Sequence, residues 1–206
     1  HARWHKVVWT GNSAEPLVRV RHHMPYFMAS KAVPNYDRSI QISESTLTQE
    51  ATNLTAAKTG PMESAFLTPY FPMTGGRVEL GPLPRWAVLY LLSQDDRALK
   101  SLMSNADAAA GVPVHYRLES SGQPLDIDSY PSVSVQFGNS TPALPTVSDT
   151  TIWTPDTAHQ ASFAYLPYLI SGDSFYQDEM MFWAGWNLTR RDPNYREQAK
   201  GLIEFD

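Results

Sequence analysis

The chain of 206 residues contains no cysteine, which excludes disulfides and thiolate metal sites. It has little charge: 18% of residues are Asp, Glu, Lys or Arg, against roughly 25% in an average soluble domain. No Lys/Arg run occurs and the net charge is −5, so nucleic acid is excluded as an expected partner. The longest apolar run, Trp86–Leu92, is far short of the ~20 residues a membrane-spanning helix needs. No G-x-S-x-G, G-x-G-x-x-G or P-loop pattern is present, so no nucleophile elbow or nucleotide cradle is expected. Metal ligation has little support. His22 and His23 are adjacent and would point to opposite faces of a strand, His115 is isolated, and His159 with Asp156 supplies only two ligands. No cofactor or metal is expected.

What the chain has instead is apolar and aromatic mass, with 42% hydrophobic residues including 6 Trp, 10 Tyr and 8 Phe, together with 16 Pro. That is enough for a sizeable core with long ordered loops. The chain opens at His1 inside an aromatic-basic segment and stops at Asp206 just past a helix-like stretch. It reads as a piece of a longer polypeptide, whose remainder would be a partner. Without cysteine or a visible signal peptide, the cytoplasm, the periplasm and the exterior all remain compatible, with a lean to a periplasmic or secreted protein.

Residues 1–50 have strand character, and 1–60 is expected to form a β-rich segment, with 44–74 ambiguous. WHKVVW (4–9) and LVRVRHH (17–23) are short β-branched and aromatic runs, and MPYFMAS (24–30) and RSIQIS (38–43) extend the expected sheet. Ser45–Ala57 reads as a short helix. From residue 61 to 206 the expectation is helical hairpins, interrupted by a long Pro/Ser/Thr/Asp-rich connection over 112–158. The fold class expected is therefore mainly α with an N-terminal β-region.

The strongest internal signal is a repeat. WAVLYLLSQDDR (86–97) and AYLPYLISGDSF (164–175) are the same pattern 78 positions apart, Tyr90 matching Tyr168, Ser93 matching Ser171 and Asp95 matching Asp173. Each copy reads as an apolar helix, a tight corner and a second amphipathic helix. Asp95 and Asp173 are expected to cap the second helices, and Gly172 offers a left-handed corner. Pro167 should kink its helix or mark a later start. Further helices are expected over Glu179–Leu188 and from Pro193 to Ile203.

Used as an alignment, the repeat sets TGGRVELGPLPRW (74–86) beside WTPDTAHQ (153–160). Two polar loops, carrying Arg77 and Glu79 in one and Trp153, Asp156 and His159 in the other, are then expected to face one opening. Plainer roles compete for each residue. Gly75-Gly76-Arg77 can be a tight turn, Glu79 can cap the Pro82 helix, and Asp156 can be an N-cap holding His159 in the first turn. Phe182, Trp183 and Trp186 form a helical stripe suited to core packing. Trp153 and Trp86, in a rim loop and a first helical turn, are better placed to stack on a ligand.

The YL-small-x-D hairpin pattern with aromatic second helices resembles the (α/α) toroid of six-hairpin glycosidases and related polysaccharide lyases, over about residues 82–206. The preceding strand region would match the β-domain that often precedes such toroids. The resemblance implies a toroid-like fragment with a sugar-binding cleft at the rim. It implies a carbohydrate substrate or ligand and a glycoside hydrolase or polysaccharide lyase. A hydrolase would use Glu79 and Asp156 as paired carboxyls, about 5–5.5 Å apart if retaining and about 6.5–9.5 Å if inverting. A lyase would use His159 or Tyr165 as base, with Arg77 or Arg117 neutralising a uronate. Trp153 and Trp86 would stack on sugar rings. A non-catalytic glycan-binding protein or an α-solenoid scaffold is the alternative, because fold does not dictate function.

Overall fold

A computed structural model describes residues 20–60, 62–68, 77–134, 155 and 163–189. The described residues form six helices: α1 (Met24–Ala29), α2 (Glu44–Ala56), α3 (Arg85–Ser93), α4 (Asp96–Ala109), α5 (Tyr165–Ser171) and α6 (Ser174–Thr189). The protein is mainly α, as its hydrophobic spacing predicts. Among the described residues the nearest thing to a sheet is one antiparallel bridge between Arg117 and Pro124.

The expected strand MPYFMAS is instead helix α1, with Pro25 in its first turn. Proline is favourable there because its fixed φ suits the helix and its missing N–H is not needed. The segment also lacks the polar/apolar alternation a half-exposed strand requires. Residues 38–43 hold no strand either, but end in Ser43, whose side chain accepts from Thr46 N and starts α2. WHKVVW, most of LVRVRHH and the helix expected from Pro193 to Ile203 lie outside the described residues.

α4 is the central element, packed against α2, α3 and α5, while α5 packs against α6. Its inward side carries Ala98, Ser101, Leu102, Asn105, Ala106 and Ala109, all buried. Small residues there leave room for several neighbours. The long side chains come from the other helices: Trp86, Leu89 and Leu91 from α3, Leu47 from α2, and Phe182, Trp183 and Trp186 from α6. The aromatic stripe on α6 is thus core. Ring centroids run from Phe66 to Trp86 (6.3 Å), Phe163 (6.0 Å), Trp183 (5.9 Å) and Trp186 (5.8 Å). This ladder of offset and edge contacts joins the two halves of the repeat into one hydrophobic cluster.

The two corners coincide bond for bond. At the first, Gln94 N donates to Tyr90 O (2.7 Å), Ser93 Oγ to Leu89 O (2.7 Å) and Asp95 N to Ser93 Oγ (3.2 Å). Arg97 N then donates to Asp95 Oδ1 (2.8 Å). At the second, Gly172 N donates to Tyr168 O (2.8 Å), Ser171 Oγ to Pro167 O (2.6 Å), Asp173 N to Ser171 Oγ (3.1 Å) and Phe175 N to Asp173 Oδ1 (3.0 Å). Both hinge residues are left-handed, Gln94 at φ 50° and Gly172 at φ 67°. The serine returns a hydrogen bond to the last turn of one helix and the aspartate caps the next, so the chain reverses with its end groups satisfied. Pro167 marks a later start: α5 begins only two residues before it, where a missing N–H breaks no helical bond.

Polar groups lock the helices together. Buried Glu50 on α2 accepts from Arg85 Nη1 (2.5 Å) and Ser101 Oγ (2.6 Å). Asn105 on α4 donates to Ser101 O and accepts from Phe66 N (2.8 Å each). On the surface, Arg97 binds both carboxyl oxygens of Glu44 (2.6 and 3.0 Å) and both of Asp95 (2.9 Å each). These pairs tie α2 to α3 and α4 across the boundary expected near residue 60.

Candidate functional site

The loop leading into α3 is built around Glu79. Leu80 N donates to Arg77 O (3.1 Å) and Arg85 N to Val78 O (2.7 Å), folding residues 77–85 into a compact turn. Gly81 has φ 125°, a conformation that favours glycine. Glu79 is 1% exposed. One carboxyl oxygen accepts from the Thr68 amide and the other from Thr68 Oγ1 (3.2 Å). Burial pushes its carboxyl up from the ordinary 4.5, against the opposing pull of the Thr68 bonds and the Arg77 charge. The helix cap considered for Glu79 is not what it makes: Pro84 occupies the N-cap of α3, without a side-chain bond. Glu79 fastens the 62–68 segment to the lead-in loop.

Beside this loop lies an open groove of about 470 Å³ that Arg77 lines together with Val78, Leu83, Arg85, Val88 and Leu89. It combines an apolar floor with two guanidinium groups. Arg85 is held from below by Glu50, with 43% of its side chain still exposed.

The other expected site residues fall in different settings. Trp153, Asp156 and His159 lie outside the described residues. Trp86 is fully buried, its ring against Phe163 and Phe66, which leaves no face for a sugar. The first-turn position suggested exposure, but the chain packs over it. Tyr165 donates its hydroxyl to Ala32 O (2.5 Å), a tether between α5 and the residues after α1. Arg117 is exposed, with its guanidinium 4.5 Å over the Phe182 ring and Nη1 donating to Gly122 O (2.8 Å).

Two polar pairs have no counterpart in the sequence expectations. His115 Nε2 sits 3.0 and 3.1 Å from the two carboxyl oxygens of buried Glu179, with its ring edge-on to Phe182 at 4.8 Å. Tyr176, fully buried, donates to Asp107 Oδ1 (2.7 Å). A visible signal existed for the first, since Glu179 lies one helical turn before Phe182 and Trp183 on the same buried face. Among the described residues no group of three or more His, Asp or Glu side chains converges to hold a metal ion. None of the described helices is long and apolar enough to cross a membrane.

Compared with family models, curated proteins and solved structures, the chain finds no match.

Proposed function

We propose that this is a carbohydrate-active α/α-hairpin protein, a glycoside hydrolase or polysaccharide lyase working at the side of the hairpins where their lead-in loops meet. The observation carrying this reading is the bond-for-bond identity of the two corners. Hairpins turned by the same device can follow one another by the same rotation, which is how an α/α toroid grows. The lead-in loops then share a rim. Arg77 in the groove suits a uronate or a sugar hydroxyl, and Glu79 is a carboxyl biased toward its protonated, acid form. Asp156 and His159 are the proposed partners from the second loop, with Trp153 as stacking surface.

A second reading, a glycan-binding or scaffold protein without chemistry, is favoured by Glu79 itself. Both its oxygens are already engaged by Thr68, as expected of a structural carboxylate. The experiment incubates the protein with neutral and uronate-containing polysaccharides and follows new reducing ends and the ultraviolet absorbance of unsaturated lyase products. Release with a loss of tenfold or more in Glu79→Gln or Asp156→Asn matches general acid–base catalysis. Binding without release selects the second reading, and neither binding nor release rejects carbohydrate altogether.

A further inference from the structure

At the C-terminal end of α3, at its corner with α4, a cleft of about 330 Å³ is lined by His22, His23, Arg38 and Gln94 over Met24 and Leu92. We propose that this cleft is a binding site for a small organic oxyanion, a carboxylate or phosphoryl group on a compact polar molecule, with Arg38 as its cation. The inference stands independently of the carbohydrate reading.

Three observations carry it. First, among the described residues the lining carries one permanent cation, Arg38, and no Asp or Glu. The acidic residues at this corner, Asp95 and Asp96, line a separate cleft that shares only Gln94 as a wall. Second, among the described residues the Arg38 guanidinium makes no hydrogen bond or ion pair, whereas Arg85 and Arg97 are both held by carboxylates. A guanidinium presents a planar fork of donors matched to carboxylate or phosphate. Third, the wall is built rigidly. The Gln94 amide accepts from His22 N (2.7 Å) and donates to His22 O (2.9 Å), and the His22 ring lies on Phe27 and edge-on to Tyr90.

Gln94 occupies the left-handed hinge where the second hairpin uses Gly172. A side chain there works against backbone preference, and what it supplies is this wall. Burial lowers the His22 imidazole below its ordinary value, which favours the uncharged ring beside the cation. The volume is at the low end of small-molecule sites, which suits one compact oxyanion rather than a polymer.

The test titrates the whole protein with D-glucuronate, glucose 6-phosphate, inorganic phosphate and glucose, using calorimetry and the imidazole NMR signals of His22 and His23. Saturable binding of glucuronate or glucose 6-phosphate is expected, weakened about tenfold or more by Arg38→Gln. Lys100→Gln, an exposed cation outside the cleft, should leave it unchanged. Glucuronate alone identifies a carboxylate site, and glucose 6-phosphate alone a phosphoryl site. Arg38 is exposed and, among the described residues, makes no hydrogen bond or ion pair, so Arg38→Gln should melt with the wild type. Should it not, Arg38→Lys, which keeps the charge and loses the fork, must still weaken binding. No saturable binding by any probe overturns the proposal. So does equal binding by Arg38→Gln, an equal loss in Lys100→Gln, or glucose binding as tightly as the anions.

Discussion

Replacing Gln94 separates the two contributions that meet at the first corner. The residue sits at φ 50°, and an L-residue in the left-handed region costs roughly 1–2 kcal/mol relative to glycine. Against this, its amide makes two hydrogen bonds to the His22 backbone, each contributing about 1 kcal/mol. Gln94→Ala loses both bonds and keeps the strain, so it should destabilise by about 2 kcal/mol. Gln94→Gly loses the same bonds but relieves the strain, for a net loss of about 1 kcal/mol. The second corner supplies the mirror experiment. A Cβ at Gly172 would meet nothing within 4 Å, so Gly172→Ala carries backbone strain alone, about 1 kcal/mol. At roughly 2–4 °C per kcal/mol for a chain of this size, thermal melts and urea midpoints at constant m resolve the order wild type, Gln94→Gly, Gln94→Ala. A Gln94→Ala variant as stable as wild type, or a Gln94→Gly variant less stable than Gln94→Ala, would refute the reasoning.

The Arg85–Glu50 pair should respond unequally to losing each partner. Arg85→Ala strands the Glu50 carboxylate in a buried site and should cost about 3–5 kcal/mol. Glu50→Gln leaves Arg85 with 43% of its side chain exposed, able to reach water, and should cost about half that or less; urea midpoints compare the two. Glu79 sets a pH dependence of definite sign. Its folded carboxyl binds a proton more tightly than the ordinary value of 4.5, so its contribution is greatest at low pH. That contribution falls as pH rises through 4.5 to the raised folded value. Glu44 and Asp95, both lowered chiefly by hydrogen bonds from Arg97, act oppositely, stabilising at neutral pH and losing this as pH falls through their folded values. Glu79→Gln should therefore gain on wild type as pH climbs from about 4 to 8. A difference independent of pH, or reversed, contradicts the buried-acid assignment.

Local chemistry explains which features the sequence disclosed. The corners were legible because Ser93, Asp95, Ser171, Gly172 and Asp173 act on backbone groups within four residues of themselves. The aromatic stripe of α6 and the later start at Pro167 follow from equally short-range rules. α1 is hidden in the sequence because its β-branched and aromatic surroundings outweigh the helix-start signal of Pro25. The polar pairs were hidden by distance: Glu50 meets Arg85 and Ser101 across 35 and 51 residues, and His115 meets Glu179 across 64. No spacing rule links such positions. The burial of Trp86 is hidden for a related reason, since the side chains that cover it, Phe66 and Phe163, come from distant segments. Glu79 stands out in the sequence as the carboxylate of its loop. Its bond to Thr68 rather than to α3 is a tertiary fact.

The central claim is that the lead-in loops form the face that meets a polysaccharide. Backbone hydrogen exchange of the whole protein, with and without the polysaccharide giving the strongest response, tests it most directly. The account predicts slowed exchange across residues 77–85 and in the loop preceding α5, with the corners at 93–96 and 172–174 unchanged. Protection confined to the corners, or no change with any glycan, would contradict it.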